Sequence, residues 1–191
     1  MATRILIAED EAIIRLDLQE TLEEEGYEVV GAVGRGDEAV ALVRELCPDL
    51  AILDIKMPGM DGIAAAKEIA GNRRAAVLIL TAFSQRDLVE QATAAGAIGY
   101  LVKPFQKSDL IPAIEVALAR FRDVKALEAE VETAKEQLTT RRIIERAKGL
   151  LMDRHRMTEA EAFNYLQQTA MRERSKMRAI AERVLDGSLT P

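Results

Sequence analysis

The chain has 191 residues, is 49% hydrophobic and 30% charged, and carries a formal net charge of −6. This composition is too apolar for disorder and suits one large domain, or one domain with an appendage. No apolar run is long enough to cross a bilayer, no signal peptide is expected before the first strand, and a single cysteine (Cys47) and histidine (His155) exclude an internal disulfide and a Cys/His zinc site. The expected compartment is the cytoplasm, with no membrane partner. Charge is uneven: residues 1–119 hold 11 Lys/Arg against 20 Asp/Glu, a net of −9, and residues 120–191 hold 15 against 12, a net of +3. An acidic front and a basic back predict two functions on one chain, with a polyanion sought by the back half.

Taken in order, Arg4 to Ala8 is a short apolar strand followed at once by Glu9-Asp10-Glu11. Residues 12–25 carry apolar groups at helical spacing and stop at Gly26. Tyr27 to Ala32 reads as a second strand and 36–46 as a second helix, which Pro48 prevents from continuing. Leu50 to Leu53 is a buried strand ending in Asp54, with a turn at Pro58-Gly59 and Asp61-Gly62. Cys47, just before it, is expected to pack as a small apolar group. A helix at about 62–70, a strand Ala76 to Thr81 and a helix at 85–95 ending at Gly96 follow. The strand Ile98 to Val102 then runs into Lys103-Pro104, and a last helix starts near Ser108, a candidate N-cap. Five apolar strands alternating with five helices predict a parallel sheet between helix layers. At about 120 residues the flavodoxin-like (βα)5 order 2-1-3-4-5 is the expected α/β fold.

In such a sheet the carboxyl ends of the strands share one edge, so Glu9, Asp10, Asp54, Thr81 and Lys103 should converge. Three crowded carboxylates repel unless a cation sits among them, and hard oxygen donors with open positions suit Mg²⁺. A glycine-rich phosphate loop is missing after the first strand, which argues against a nucleotide site there. These residues resemble the receiver domains of two-component response regulators. Glu9 and Asp10 match the acidic pair, Asp54 the phosphoacceptor, Thr81-Ala82 the switch hydroxyl and its small neighbour, Tyr100 the aromatic switch residue, and Lys103-Pro104 the lysine with a cis proline. The resemblance implies that Asp54 takes a phosphoryl group from a cognate sensor histidine kinase. It also implies that Asp10, Asp54 and the backbone carbonyl of Lys56 ligate Mg²⁺, with Glu9 acting through water. Thr81 and Lys103 would bond the phosphoryl oxygens while Tyr100 turns inward. Lys56 and Phe83 occupy positions where this family tunes access of hydrolytic water. A true hydrolase is disfavoured, because no general base beyond the acidic cluster is evident; the chain reads as a non-enzyme.

From Leu110 to about Leu138 no glycine interrupts the helix, and Pro112 is expected within its first turn. Ala117, Phe121, Val124, Leu127, Val131, Ala134 and Leu138 form a heptad-like seam with one short step. The seam fits a coiled-coil homodimer formed on phosphorylation; it equally fits a stripe packed on its own chain, or a solvated spacer. Thr139-Thr140 then cap or interrupt the helix.

Residues 139–191 hold 11 Lys/Arg against 7 Asp/Glu, a net of +4. Three short helices are expected at Arg141 to about Arg154, after a capping box at Thr158-Glu159-Ala160-Glu161, and at about Ser175 to Leu185. His155 is placed in the loop between the first two, and Tyr165 either stacks on a base or packs in the core. Spacing alone leaves a DNA reader, an RNA reader and a protein-docking lobe open. Arg146-Ala-Lys-Gly-Leu-Leu-Met152, Glu161-Ala-Phe163, Leu166, Ala170 and the Lys176 to Val184 helix resemble the ANTAR domain of transcription antiterminators. That resemblance implies binding of RNA hairpins in nascent transcripts, with Arg142, Arg146, Lys148, Arg172, Lys176 and Arg178 as contact candidates. The expected division is a receiver over 1–120, a connecting helix over 121–138 and an RNA-binding domain over 139–191; DNA binding or protein docking by the tail is the alternative.

Overall fold

A computed structural model describes residues 2–72, 74–82 and 86–191. Five strands, β1 (Arg4–Ala8), β2 (Glu28–Val33), β3 (Leu50–Asp54), β4 (Ala76–Thr81) and β5 (Gly99–Val102), form one sheet in the order β2-β1-β3-β4-β5. All four pairings are parallel, with Ile5 opposite Leu50 and Leu53 opposite Ile79. Every residue of β3 and β4 is buried. Alternation along β1 explains why: Leu6 and Ala8 join the core beneath α2 (Gly36–Leu46), α3 (Gly62–Gly71) and α4 (Arg86–Ala94), while Ile5 and Ile7 face α1 (Ala12–Glu24) and the start of α5 (Lys107–His155). With both faces covered, the strands need continuous apolar runs rather than alternating ones. The chain is thus the flavodoxin-like α/β fold its alternating pattern predicts.

Helix ends follow local chemistry. α1 stops where Gly26 takes φ +85° and Tyr27 N–H returns to the Leu22 carbonyl at 3.1 Å, an αL termination that only a residue without Cβ adopts freely. α5 begins at Lys107, not at Ser108. Its N-terminus is closed from N3, where the Asp109 carboxylate accepts from Gln106 N–H at 3.0 Å. Pro112 therefore lies in the second turn, at the sacrifice of one intrahelical bond. Cys47 is exposed rather than packed, in left-handed backbone at φ 47°, because the chain must reverse there to enter β3.

The chain divides into two compact units, Met1–Lys125 and Ala126–Pro191. The second contains the end of α5, α6 (Glu159–Glu173) and α7 (Met177–Leu185) around Ala147, Leu151, Ala162, Leu166, Ala170, Ile180, Ala181 and Val184. Thr139 and Thr140 neither cap nor interrupt. Thr139 donates its hydroxyl to the Lys135 carbonyl at 2.9 Å, so it satisfies itself inside the helix, and the first tail helix is the end of α5. His155 is its last residue. The Thr158 capping box forms, with Glu161 N–H on Thr158 Oγ1 at 3.3 Å and Thr158 N–H on Glu161 Oε2 at 2.8 Å. Tyr165 packs against the core. Along the seam, Ala117 is buried and Phe121 packs on the core of the first unit, whereas Val124, Leu127, Val131 and Leu138 are exposed. Among the described residues, no helix is long and apolar enough to cross a membrane.

Candidate functional site

The β1–α1 and β3–α3 connections open at the same sheet edge, beside the point where the strand order reverses. Side-chain oxygens of Glu9, Asp10 and Asp54 lie within 4.8 Å of one another. Glu9 is fully buried, Asp54 and Thr81 nearly so, and Asp10 is exposed. Lys103, delivered by the end of β5, places Nζ 2.5 Å from Glu9 Oε2 and 3.0 Å from Asp54 Oδ1. Asp10, Glu11, Asp54, Lys56, Thr81, Ala82 and Lys103 are among the residues lining an open cavity of ≈ 220 Å³. The Lys103–Pro104 peptide is cis, and Lys103 N–H bonds the Thr81 carbonyl at 2.7 Å.

The electrostatics follow from burial. Burial raises the Glu9 carboxyl above its usual range; its hydrogen bond with Lys103 offsets part of this and the Asp54 charge adds to it. Burial pushes the Lys103 ammonium down, but hydrogen bonds to Glu9 and Asp54 outweigh that, and its net shift is upward. The carboxylates are held from below. Lys56 N–H donates to Asp54 Oδ2 at 3.2 Å, and Glu11 N–H to Glu9 Oε1 at 3.4 Å. The donor set is hard oxygen with one charge-balancing ammonium, which fits a divalent cation such as Mg²⁺.

Sequence reading brought these residues together and missed their supports. Arg15 donates to the Glu9 carbonyl at 2.5 Å and the Asp10 carbonyl at 3.4 Å, tying the acidic loop to α1. Its signal was a cation one turn beyond Glu11. Asp61 caps α3 by accepting from Ala64 N–H at 2.7 Å. A Cβ at Gly62 would stand 2.0 Å from the Asp54 carbonyl oxygen, so only glycine lets this turn close beneath the site. Tyr100 is 49% exposed and lines a hollow with Ala97, Val116 and Val124. Phe83 lies outside the described residues.

In the tail, Arg142, Arg146, Arg172 and Lys176 are exposed, and Arg178 pairs with Glu182 at 2.8 Å. Lys148 differs. Its side chain is 8% exposed, with Nζ 2.6 Å from Glu159 and 3.1 Å from Glu145. The Glu159 hydrogen bond, then that to Glu145, raises its pKa. It pins the start of α6 to α5, which does not suit the phosphate contact expected of it.

Comparison with known proteins agrees with this geometry. Residues 5–115 match the response regulator receiver domain and residues 132–185 the ANTAR domain. The chain is 60% identical over 188 residues, 98% of its length and 92% of the other's, to the transcriptional regulatory protein PdtaR of Mycobacterium tuberculosis. It is 41% identical to the chemotaxis protein CheY of Thermotoga maritima over 115 residues, 60% of this chain and 96% of that one. The receiver domain of the response regulator NarL from Mycobacterium tuberculosis superposes with a TM-score of 0.59 at 28% identity, covering 62% of this chain and 97% of that one. The architecture is regulatory and non-enzymatic, and the chain belongs to the response regulators in which a receiver domain is followed by an ANTAR domain.

Proposed function

We propose that Asp54 accepts a phosphoryl group from a sensor histidine kinase and that this modification controls RNA binding by the tail. The observation that carries the proposal is Asp54 itself, a buried carboxylate at a strand end, within 4.8 Å of two others and salt-bridged to Lys103. An Asp54 oxygen attacks the phosphorus of a phosphohistidine; the O–P bond forms as the N–P bond breaks, and the imidazole leaves with the electron pair. Glu9, Asp10, Asp54 and the Lys56 carbonyl would hold Mg²⁺, which when bound offsets charge on the phosphoryl oxygens. Lys103 and the Thr81 hydroxyl donate to those oxygens, and Tyr100 turns from its half-exposed position toward Thr81. Residues 1–120 then act as receiver, 121–138 as connecting helix and 139–191 as the RNA-binding unit.

The tail binds RNA stem-loops in nascent transcripts and acts as an antiterminator in the cytoplasm, through Arg142, Arg146, Arg172 and Lys176, with Arg178 contributing once released from Glu182. The exposed Leu127, Val131 and Leu138 support pairing of two chains on phosphorylation. The test is RNA-hairpin binding by the full chain, with and without acetyl phosphate and Mg²⁺, for wild type and Asp54→Asn. Wild type gains affinity on phosphorylation and the variant does not. An equal gain in the variant removes Asp54 as the trigger. Displacement of the hairpin by duplex DNA makes the tail a DNA reader, and binding to neither makes it a docking lobe.

A further inference from the structure

The receiver unit has a second charged cavity, at the pole opposite Asp54. Arg4 opens β1, Asp49 immediately precedes β3, Arg74 lies just before β4, and Arg122 and Lys125 come from α5. These residues line one hollow of ≈ 640 Å³ with Pro48, Leu118 and Phe121 among its apolar walls. Its volume falls within the roughly 300–1,000 Å³ of small-molecule sites.

Its charge is unusual for its surroundings. Residues 1–125 hold 14 Lys/Arg against 21 Asp/Glu, a net of −7, yet this cavity gathers four cations, Arg4, Arg74, Arg122 and Lys125, against two acids, Asp49 and Glu115. Among the described residues, the side chains of these four cations form no salt bridge with a carboxylate. Arg4 donates to the carbonyls of Leu46 and Cys47 at 2.7 and 3.3 Å, and Arg74 to that of Arg44 at 3.3 Å; these acceptors hold the guanidinium groups without cancelling their charge. The two acids lining the cavity accept from neutral donors and keep their charge, which leaves the lining basic by two. Asp49 accepts from Arg4 N–H at 2.8 Å and Glu115 from the Tyr27 hydroxyl at 2.7 Å. Lys125 Nζ stands 5.1 Å from the centre of the Phe121 ring, so positive charge and an aromatic surface occur together.

Four cations from three separate segments outnumber the two acids beside them, and an anion would relieve the net positive charge gathered over these apolar walls. Guanidinium forks match phosphate oxygens in pairs, and Leu118, Phe121 and Pro48 offer a seat for a flat apolar body. We propose that this cavity binds a small phosphorylated molecule with an aromatic body, the class of a nucleoside phosphate. The site lies at the far end of the sheet from Asp54 and does not depend on the phosphoacceptor reading.

The test is calorimetric titration of the full chain with ATP and with inorganic pyrophosphate, in EDTA so that no metal–nucleotide complex engages the acidic edge. Wild type binds one ATP per chain, and pyrophosphate, lacking the aromatic body, more weakly. Arg122→Glu/Lys125→Glu on α5 and Arg74→Glu before β4 each weaken ATP by about tenfold or more, because each inverts charge at the phosphate seat. Circular dichroism verifies that both variants are folded. Absence of ATP binding overturns the proposal, as does binding that neither variant weakens. If the variants instead lower affinity only for single-stranded RNA, the surface is a backbone contact and the small-ligand site is refuted.

Discussion

Replacing Lys103 by Met removes the ammonium that bridges two buried carboxylates, Glu9 and Asp54, while keeping an aliphatic stem of similar length. In metal-free buffer the loss leaves Glu9, fully buried, without its 2.5 Å partner. A carboxylate in that position does not stay charged at any cost; it takes a proton when this becomes cheaper. Protonating a group of ordinary pKa 4.5 at pH 7 costs about 3.4 kcal/mol, roughly 1.36 per pH unit. That figure is the ceiling on what Glu9 contributes to the deficit, and it lies at the lower end of the ~3–5 kcal/mol typical of a broken buried pair. The sign follows from linkage. Loss of Lys103 lifts the folded-state pKa of Glu9 further above its unfolded value. The penalty is therefore absent below about pH 4.5 and grows as pH rises toward the folded value. By pH 5.5 the ceiling shrinks to about 1.4 kcal/mol. Urea unfolding followed by circular dichroism, in EDTA at pH 7 and pH 5.5, reads both numbers. A deficit that is the same at both pH values, or below about 1 kcal/mol at pH 7, would refute the account of Glu9 as a carboxylate held charged by Lys103.

Four other changes probe separate features. Gly62→Ala drives a Cβ into the Asp54 carbonyl and should cost about 3 kcal/mol or more, with loss of phosphoryl uptake from acetyl phosphate; a fully stable, phosphorylatable variant contradicts the 2.0 Å clash. Gly149→Ala, where a Cβ meets nothing within 4 Å inside α5, should stabilise the tail by about 0.8–1 kcal/mol in thermal melts; destabilisation would reveal a contact the structure lacks. Tyr27 is pushed up to about 12 by burial, then by its hydrogen bond to Glu115, so its contribution is complete below about pH 10 and lost as pH rises from there to about 12. Tyr27→Phe should cost about 1 kcal/mol at pH 8, and the difference from wild type should vanish at the alkaline end. Thr158→Ala removes one side of the capping box and should lower tail stability by about 1 kcal/mol, with Thr158→Ser restoring most of it.

The receiver half was legible because its signals are local and redundant. Apolar runs such as Leu50–Leu53, bounded by turn residues, point to buried parallel strands, and the acids after β1 and ending β3, the Thr81 hydroxyl of β4 and the lysine after β5 mark the functional edge. What escaped depends on which of several available partners a residue meets in the folded chain. Lys148 reads as one more solvated cation on a basic helix, and only the return of α6 brings Glu159 onto it and buries it. Gly62 reads as turn chemistry, whereas its necessity comes from the Asp54 carbonyl eight residues back. Thr139-Thr140 carries two residues that favour caps, yet a hydroxyl bonded four residues back keeps the helix going. Helix starts are likewise set by which side chain wins the free N–H groups. At α5 the N3 carboxylate of Asp109 prevails over the Ser108 hydroxyl. The charged cavity was invisible because Arg4, Arg74 and Arg122 are far apart along the chain and belong to a segment whose net charge is negative.

Cys47 is the sole thiol and is exposed at the surface of the receiver unit. A single cysteine cannot close a bridge within its own chain, so any disulfide that joins two copies of it passes through that one residue. Air-oxidised material would then contain a covalent pair tethered near the entrance of β3, unrelated to the apolar seam on α5. Sizing experiments on pairing therefore belong in reductant, or in Cys47→Ser, where a pair that survives is held by packing alone.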